Sequence, residues 1–173
     1  ARDVQQNLRD DLKLLAMSAT LDGARVAKLL GDVPVIESEG RAFPVETRYR
    51  GRDSNATIER QVADTVARAL RADPGSLLVF LPGQAEIRRI ETALKDLGTD
   101  PAVDIVTLYG ALDAQTQDRA ITPSPPGRRK VVLATSIAET SLTIEGVRVV
   151  IDSGLARVPR YEPDVGLTRL ETV

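Results

Sequence analysis

The sequence predicts an α/β fold built on a mostly parallel sheet covered by helices on both faces. Three observations carry the prediction. Short apolar runs of strand length alternate along the chain with stretches whose apolar residues recur at helical spacing. Residues suited to capping helices stand just ahead of those stretches, and turn formers follow them. The resulting order, strand then helix then strand, is that of βαβ units, which align their strands in parallel.

The apolar runs are Leu14–Met17, Val45–Tyr49, Leu77–Leu81, Val103–Leu108, Val131–Ala134 and Val149–Ile151. Ahead of the third run, Ile58, Val62, Val66 and Leu70 recur every four residues; behind it, Ile87, Ile90, Leu94 and Leu97 follow a three-four pattern. Each set is the stripe of a helix lying on a sheet. Asp22, Ser54 and Asp113 are the expected N-caps, and Gly98 with Asp100-Pro101 closes the second striped helix. Residues 33–44 contain Pro34, Gly40 and Pro44 and no stripe. They read as a connector between a preceding piece, residues 1–32, and the main domain, residues 45–154. Residues 155–173 read as a β-hairpin, with Ala156–Tyr161 and Leu167–Val173 flanking the turn formers Pro163, Asp164 and Gly166. In such sheets ligands gather at the carboxyl ends of the strands, so the segments after Leu81, Leu108, Ala134 and Asp152 form the candidate binding edge.

Composition excludes much chemistry. At 173 residues the chain has room for one domain and an attached piece. It has no cysteine and no histidine. That removes disulfides, thiolate metal sites, the usual zinc sets and Ser-His-Asp or Cys-His catalysis, and it fits a reducing cytoplasm. With a net charge of −2, nucleic-acid contact must come from local geometry and not from bulk attraction. No apolar run approaches membrane-spanning length, so no membrane partner is expected. The Ala-Arg-Asp-Val opening is unlike a native start, and the chain is expected to be a fragment.

Two segments carry the candidate chemistry. Met17-Ser18-Ala19-Thr20 ends an apolar run and precedes a capped helix, so its hydroxyls either face the ligand crevice or simply form a strand-to-helix turn. From Thr135 to Thr143, five hydroxyl residues crowd into nine positions. Hydroxyls and backbone N–H groups at a helix start can hold phosphate oxygens; an Ala/Thr-rich connecting helix with local side-chain bonds is the plainer reading. Among the basic residues, Arg128-Arg129-Lys130 lie at the amino end of a strand and read as a solvated cap, as do Arg88-Arg89 on a polar helix face. Asp152 reads either as a functional carboxylate or as a turn former.

The stretch A-T-S-I-A-E-T-S-L-T-I-E-G-V, residues 134–147, resembles motif V of the DEAH-box superfamily 2 RNA helicases. L-L-A-M-S-A-T-L-D, residues 14–22, resembles motif III with its preceding strand, and L-L-V-F-L-P-G-Q-A-E-I, residues 77–87, resembles motif IV. L-Y-G-A-L-D-A-Q-T-Q, residues 108–117, is similar to the family's Y-G-x-L-P-x-x-x-Q segment, and Gly40-Arg41-Ala42-Phe43-Pro44-Val45 to its inter-domain crossing. The likeness runs in order from about Val4 to the end. The S-E-G-R-x-F-P-V-E form and the Q-Q-x-L-R-D-D-L-K-L opening are most similar to the bacterial HrpB branch.

The resemblance implies a RecA-like three-layer α/β/α domain with a C-terminal β-hairpin, preceded by a remnant of a first RecA-like domain. It implies an ATP-dependent 3′-5′ RNA helicase whose partners are single-stranded RNA, with DNA as an alternative strand, ATP with Mg2+, and the remaining helicase domains. By the same likeness Thr135 would hold an RNA phosphate, with Ser136 beside it, and Ser141 would sense the terminal phosphate of the nucleotide. Thr143 and Glu145 would lie beside the ribose, and Ser18 and Thr20 would couple the two domains. Gly83, Tyr109 and Gly110 would present backbone to the RNA, and Arg157 would begin the hairpin that acts as a wedge. Departures from the family pattern are Glu145 for Asp, Ser136 for Asn and Pro82 for Thr. The sequence holds no G-x-x-x-x-G-K-[ST] loop, no D-E-A-H box and no Q-R-x-G-R-x-G-R. Alone, the chain is therefore expected to be inactive towards ATP, with Mg2+ ligands expected in the first domain. The alternative reading is a catalytically silent RecA-like module that binds nucleic acid or protein.

Overall fold

A computed structural model of the chain describes residues 2–17, 22–37, 43–140, 144–164 and 166–173. The chain divides into two compact units, Ala1–Tyr49 and Arg50–Val173.

The first unit contains two helices, α1 (Arg2–Asn7) and α2 (Gly23–Leu30). Asp22 caps α2 as expected, its carboxylate accepting from the Arg25 N–H. The strands expected at Leu14–Met17 and Val45–Tyr49 are absent: both stretches are irregular, and Leu15, Met17, Val45 and Tyr49 are all highly exposed. A strand exists only beside a partner that takes up its backbone groups, and no described strand pairs with either run.

The second unit carries α3 (Ile58–Ala72), β1 (Ser76–Phe80), α4 (Gln84–Asp96), β2 (Val103–Leu108), α5 (Ala114–Ile121), β3 (Arg129–Ala134), α6 (Ile137–Thr140), β4 (Val147–Asp152), β5 (Arg157–Glu162) and β6 (Leu167–Thr172). The first four strands form one parallel sheet in the order β2-β3-β1-β4. Strand alternation sorts its side chains onto two faces. Leu77, Val79, Val131 and Leu133 pack with Val62 and Val66 of α3 and Ile87, Ile90 and Leu94 of α4. Val132, Ala134, Leu78 and Phe80 point the other way, towards Ala120 of α5 and Ala138 of α6. Three layers result, as the sequence predicts. Gly98, at φ +68, ends α4 by donating its N–H to the Lys95 carbonyl, a left-handed conformation that glycine adopts without strain.

The N-cap of α3 is Thr57, not Ser54. The Thr57 hydroxyl accepts from the Arg60 N–H at 3.4 Å, while Asp53 upstream forms its own turn by accepting from the Asn55 N–H. Gln61 ties this loop down, bonding the backbone of both Asp53 and Ala56. Replacing Thr57 with alanine is expected to lower stability by about 0.5–1 kcal/mol, and Ser54→Ala by clearly less, in urea unfolding.

The connections explain where a ligand can enter. From β1 the chain runs to β2 through α4 on one face; it then runs back through α5 and α6 on the other, as a constant right-handed crossover requires. Beyond the adjacent carboxyl ends of β1 and β3 the chain therefore departs to opposite faces. This is a switch point of the kind at which α/β sheets bind ligands. β5 and β6 form the expected antiparallel hairpin, closed at its base by reciprocal backbone bonds of 2.9 Å between Ala156 and Val173.

Candidate nucleic-acid interface at the carboxyl edge of the sheet

The four parallel strands end in one row. Leu108 pairs with Ala134, Ala134 with Phe80, and Phe80 with Asp152. Three backbone bonds extend the row by one residue: Thr135 N–H to Leu108, Leu81 N–H to Ala134 and Ser153 N–H to Phe80, at 2.8 to 3.2 Å. Pro82-Gly83, Tyr109-Gly110 and Thr135-Ser136 are thus brought to the same edge by register alone. Thr135 is half-buried and Ser136 exposed, and the Thr135 carbonyl accepts the Ala138 N–H that opens α6. Tyr109 reaches back from β2, its hydroxyl accepting from Gln84 Nε2 at 2.9 Å, which ties two of the expected backbone-presenting turns together. Gly110 is exposed.

Beside this row lies a cleft of about 460 Å³, bordered by Pro82 and Ser136 on the sheet side and by Gly154, Ala156 and Arg157 on the hairpin side. Asp152 also borders it, but its carboxylate is turned to the Gly154 N–H at 2.8 Å, which makes it a turn former. Arg157 points its guanidinium at Glu86, in the first turn of α4, 3.4 Å from each carboxylate oxygen.

Not every candidate joins this edge. Glu145 is exposed in the turn before β4, at the opposite, amino end of the sheet, where Gly146 accepts the Ser76 N–H. One six-residue strand separates it from the row, roughly 20 Å at the rise of a β-strand. Ser18, Thr20, Ser141 and Thr143 lie outside the described residues.

The basic cluster at the amino end is only partly a solvated cap. Arg128 is exposed and pairs with Asp104, holding that carboxyl below its usual range. Arg129 instead directs its guanidinium to the carbonyls of Leu70, Asp73 and Gly75 at 2.6 to 2.8 Å. Lys130 is buried, its ammonium donating to the carbonyls of Ala120 and Thr122. Alternation along β3 turns Lys130 into the layer where α5 ends with open carbonyls, and those acceptors replace water. Arg88 and Arg89 are exposed, but Arg89 bridges to Glu59 of α3 at 2.6 Å and holds that carboxyl below its usual range. Glu86 is the participant that sequence reasoning missed. The available signal was its place three residues after Gly83, in a first helical turn that favours acidic residues.

A parallel sheet with this switch-point edge and an appended hairpin is the architecture of a helicase carboxyl-terminal lobe. Residues 60–164 match the family described as helicase conserved C-terminal domain, and the chain belongs to that family. It is 54% identical over 171 residues to the ATP-dependent RNA helicase HrpB of Escherichia coli strain K12, covering 98% of this chain and 21% of that protein. It is 39% identical over 167 residues to the pre-mRNA-splicing factor ATP-dependent RNA helicase prp22 of Schizosaccharomyces pombe, covering 94% of this chain and 14% of that protein. The crystal structure of the Escherichia coli DEAH/RHA helicase HrpB superposes with a TM-score of 0.90 at 53% identity, over 99% of this chain and 22% of that one. The chain therefore spans about a fifth or less of the length of these relatives. Among the described residues, no helix is long and apolar enough to cross a membrane.

Proposed function

We propose that the chain is the second motor lobe of a cytoplasmic ATP-dependent 3′-5′ RNA helicase, in which ATP hydrolysis drives movement along single-stranded RNA and separates a duplex. The observation that supports this best is the row of strand ends: Gly83, Tyr109, Gly110, Thr135 and Ser136 share one edge, beside a cleft that Arg157 borders. Backbone groups and hydroxyls in a row suit sugar and phosphate, not base edges, so binding has little sequence preference and DNA is a second candidate strand. Glu145 belongs to a different contact. Thr135 and Glu145 stand at opposite edges of the sheet, which suits a relay from the RNA to the ribose of ATP through Ser141 and Thr143. Ser18 and Thr20 couple this lobe to its neighbour. ATP binds with Mg2+, whose ligands fall to the other lobe. Among the described residues no three acidic side chains converge to hold a cation.

The test is ATP hydrolysis by the full-length protein, with and without single-stranded RNA, for the wild type and Ser141→Ala. RNA-stimulated turnover is expected to fall about tenfold in the variant, the rate equivalent of one modest hydrogen bond, while RNA remains bound. Absence of turnover in the wild type with any RNA would leave a silent binding module as the better account.

A further inference from the structure

We propose that Glu86 is a positioning residue: it holds Arg157, and with it the root of the β5–β6 hairpin, against the Gly83 turn until an RNA phosphate takes the guanidinium over. This rests on the helicase reading of the same edge.

Arg157 is the first residue of β5, so whatever fixes its side chain fixes the point at which the hairpin leaves the sheet. Its guanidinium lies 3.4 Å from both Glu86 oxygens, with the Glu86 side chain largely covered and that of Arg157 about a third exposed. The pair is seated directly on Gly83. A Cβ there would come within 2.8 Å of Arg157 Cζ and 2.9 Å of both Arg157 Nη1 and Glu86 Oε2. Gly83 has φ −169, which any residue adopts, so the glycine is needed for this close approach and not for its backbone angle.

The spacing is that of a long, weak contact. Closed arginine–carboxylate bonds are shorter, around 2.7 to 2.9 Å, and Arg89 of α4 reaches Glu59 of α3 at 2.6 Å. Arg157 is therefore held loosely, on the border of the cleft where a phosphate would arrive. When it leaves, Glu86 still has a cation nearby, because Arg89 Nη1, bonded to Glu59 at 2.6 Å, stands 3.7 Å from its carboxylate. A covered carboxylate with a second cation shared from the neighbouring pair suits an exchange of partners better than a permanent clamp.

Binding of a fluorescein-labelled oligouridine to the full-length protein, without nucleotide and across a salt series, tests this. Arg157→Gln is expected to weaken binding about tenfold, as loss of a charge-assisted contact does, and to flatten the salt slope by about 0.7. Glu86→Gln, which keeps the shape, is expected to tighten binding about two- to fivefold, the range of a partly exposed ion pair. The double variant is expected to bind like Arg157→Gln, since Glu86 acts only through Arg157. If the double variant instead shows the full Glu86→Gln gain over Arg157→Gln, Glu86 is a bare repelling charge and the latch is overturned. It is equally overturned if Glu86→Gln lowers the melting temperature and leaves affinity and slope unchanged, which assigns Glu86 to the α4 N-terminus alone. Wild-type affinity in Arg157→Gln removes the latch but leaves the helicase reading standing. No binding by the wild type removes both.

Discussion

Replacing Arg129 with alanine is expected to destabilise the chain by about 3–5 kcal/mol, because hydrogen bonds from a charged donor contribute about 1.5–3 kcal/mol each and three are lost together. The guanidinium closes the loop between α3 and β1 by bonding the carbonyls of Leu70, Asp73 and Gly75. Leu70 and Asp73 mark the end of α3, where carbonyls have no partner inside the helix, and Gly75 precedes β1. One side chain therefore satisfies three acceptors and anchors the amino end of β3 beside β1. Arg129→Lys is expected to recover less than half of the loss, since an ammonium cannot span the three carbonyls as a planar fork does. Urea unfolding followed by far-ultraviolet circular dichroism measures both variants. RNA affinity, measured where the variant is still folded, is expected to be unchanged, because Arg129 sits one strand length from Thr135. A midpoint close to the wild type would show that water replaces the three bonds at little cost.

The α/β architecture was legible because burial writes a period into the sequence. β2 runs over the whole predicted span, Val103–Leu108, and the stripes Ile58 to Leu70 and Ile87 to Leu94 are the core faces of α3 and α4, whereas Leu97, expected to end the second stripe, caps α4 and is exposed. Leu14–Met17 and Val45–Tyr49 carry the same apolar signal without forming strands, since an apolar run states what wants covering and not whether a partner strand is present. At Ser54 the signal was local and ambiguous: four polar residues, Asp53 to Asn55 and Thr57, compete for one cap, and the one adjoining Ile58 wins. The carboxyl edge was legible in outline because parallel strands must end together, which brings Gly83, Tyr109 and Thr135 to one side. The side chains that set its electrostatics were not. Glu86 is 71 residues from Arg157 in sequence, and no periodicity links them. The solvated reading of Arg129 and Lys130 failed for a related reason. Charge alone suggests solvent, whereas the carbonyls left open at the ends of α3 and α5 supply acceptors that only the assembled layers bring near.

Lys130→Ala is the second large loss expected, about 3 kcal/mol, from two carbonyls left without a donor and the space vacated by the side chain. Lys130 follows Arg129 on β3 and so faces the opposite layer, where its ammonium donates to the carbonyls of Ala120 and Thr122 at the end of α5. Burial pushes its pKa below the ordinary value of 10.5. The folded chain therefore releases this proton at a lower pH than the unfolded chain does. Between the lowered folded value and 10.5 the unfolded state binds more protons, so the contribution of Lys130 to stability rises with pH across that window. A neutral amine still donates two hydrogens, enough for both carbonyls, so the contacts outlast the charge. Unfolding of wild type and Lys130→Ala, compared from neutral to alkaline pH, isolates this group because every other titration is common to both. The stability gap is expected to widen as pH rises through the window. A gap that stays constant would mean that the ammonium keeps water in the folded state and that α5 closes onto β3 without enclosing it.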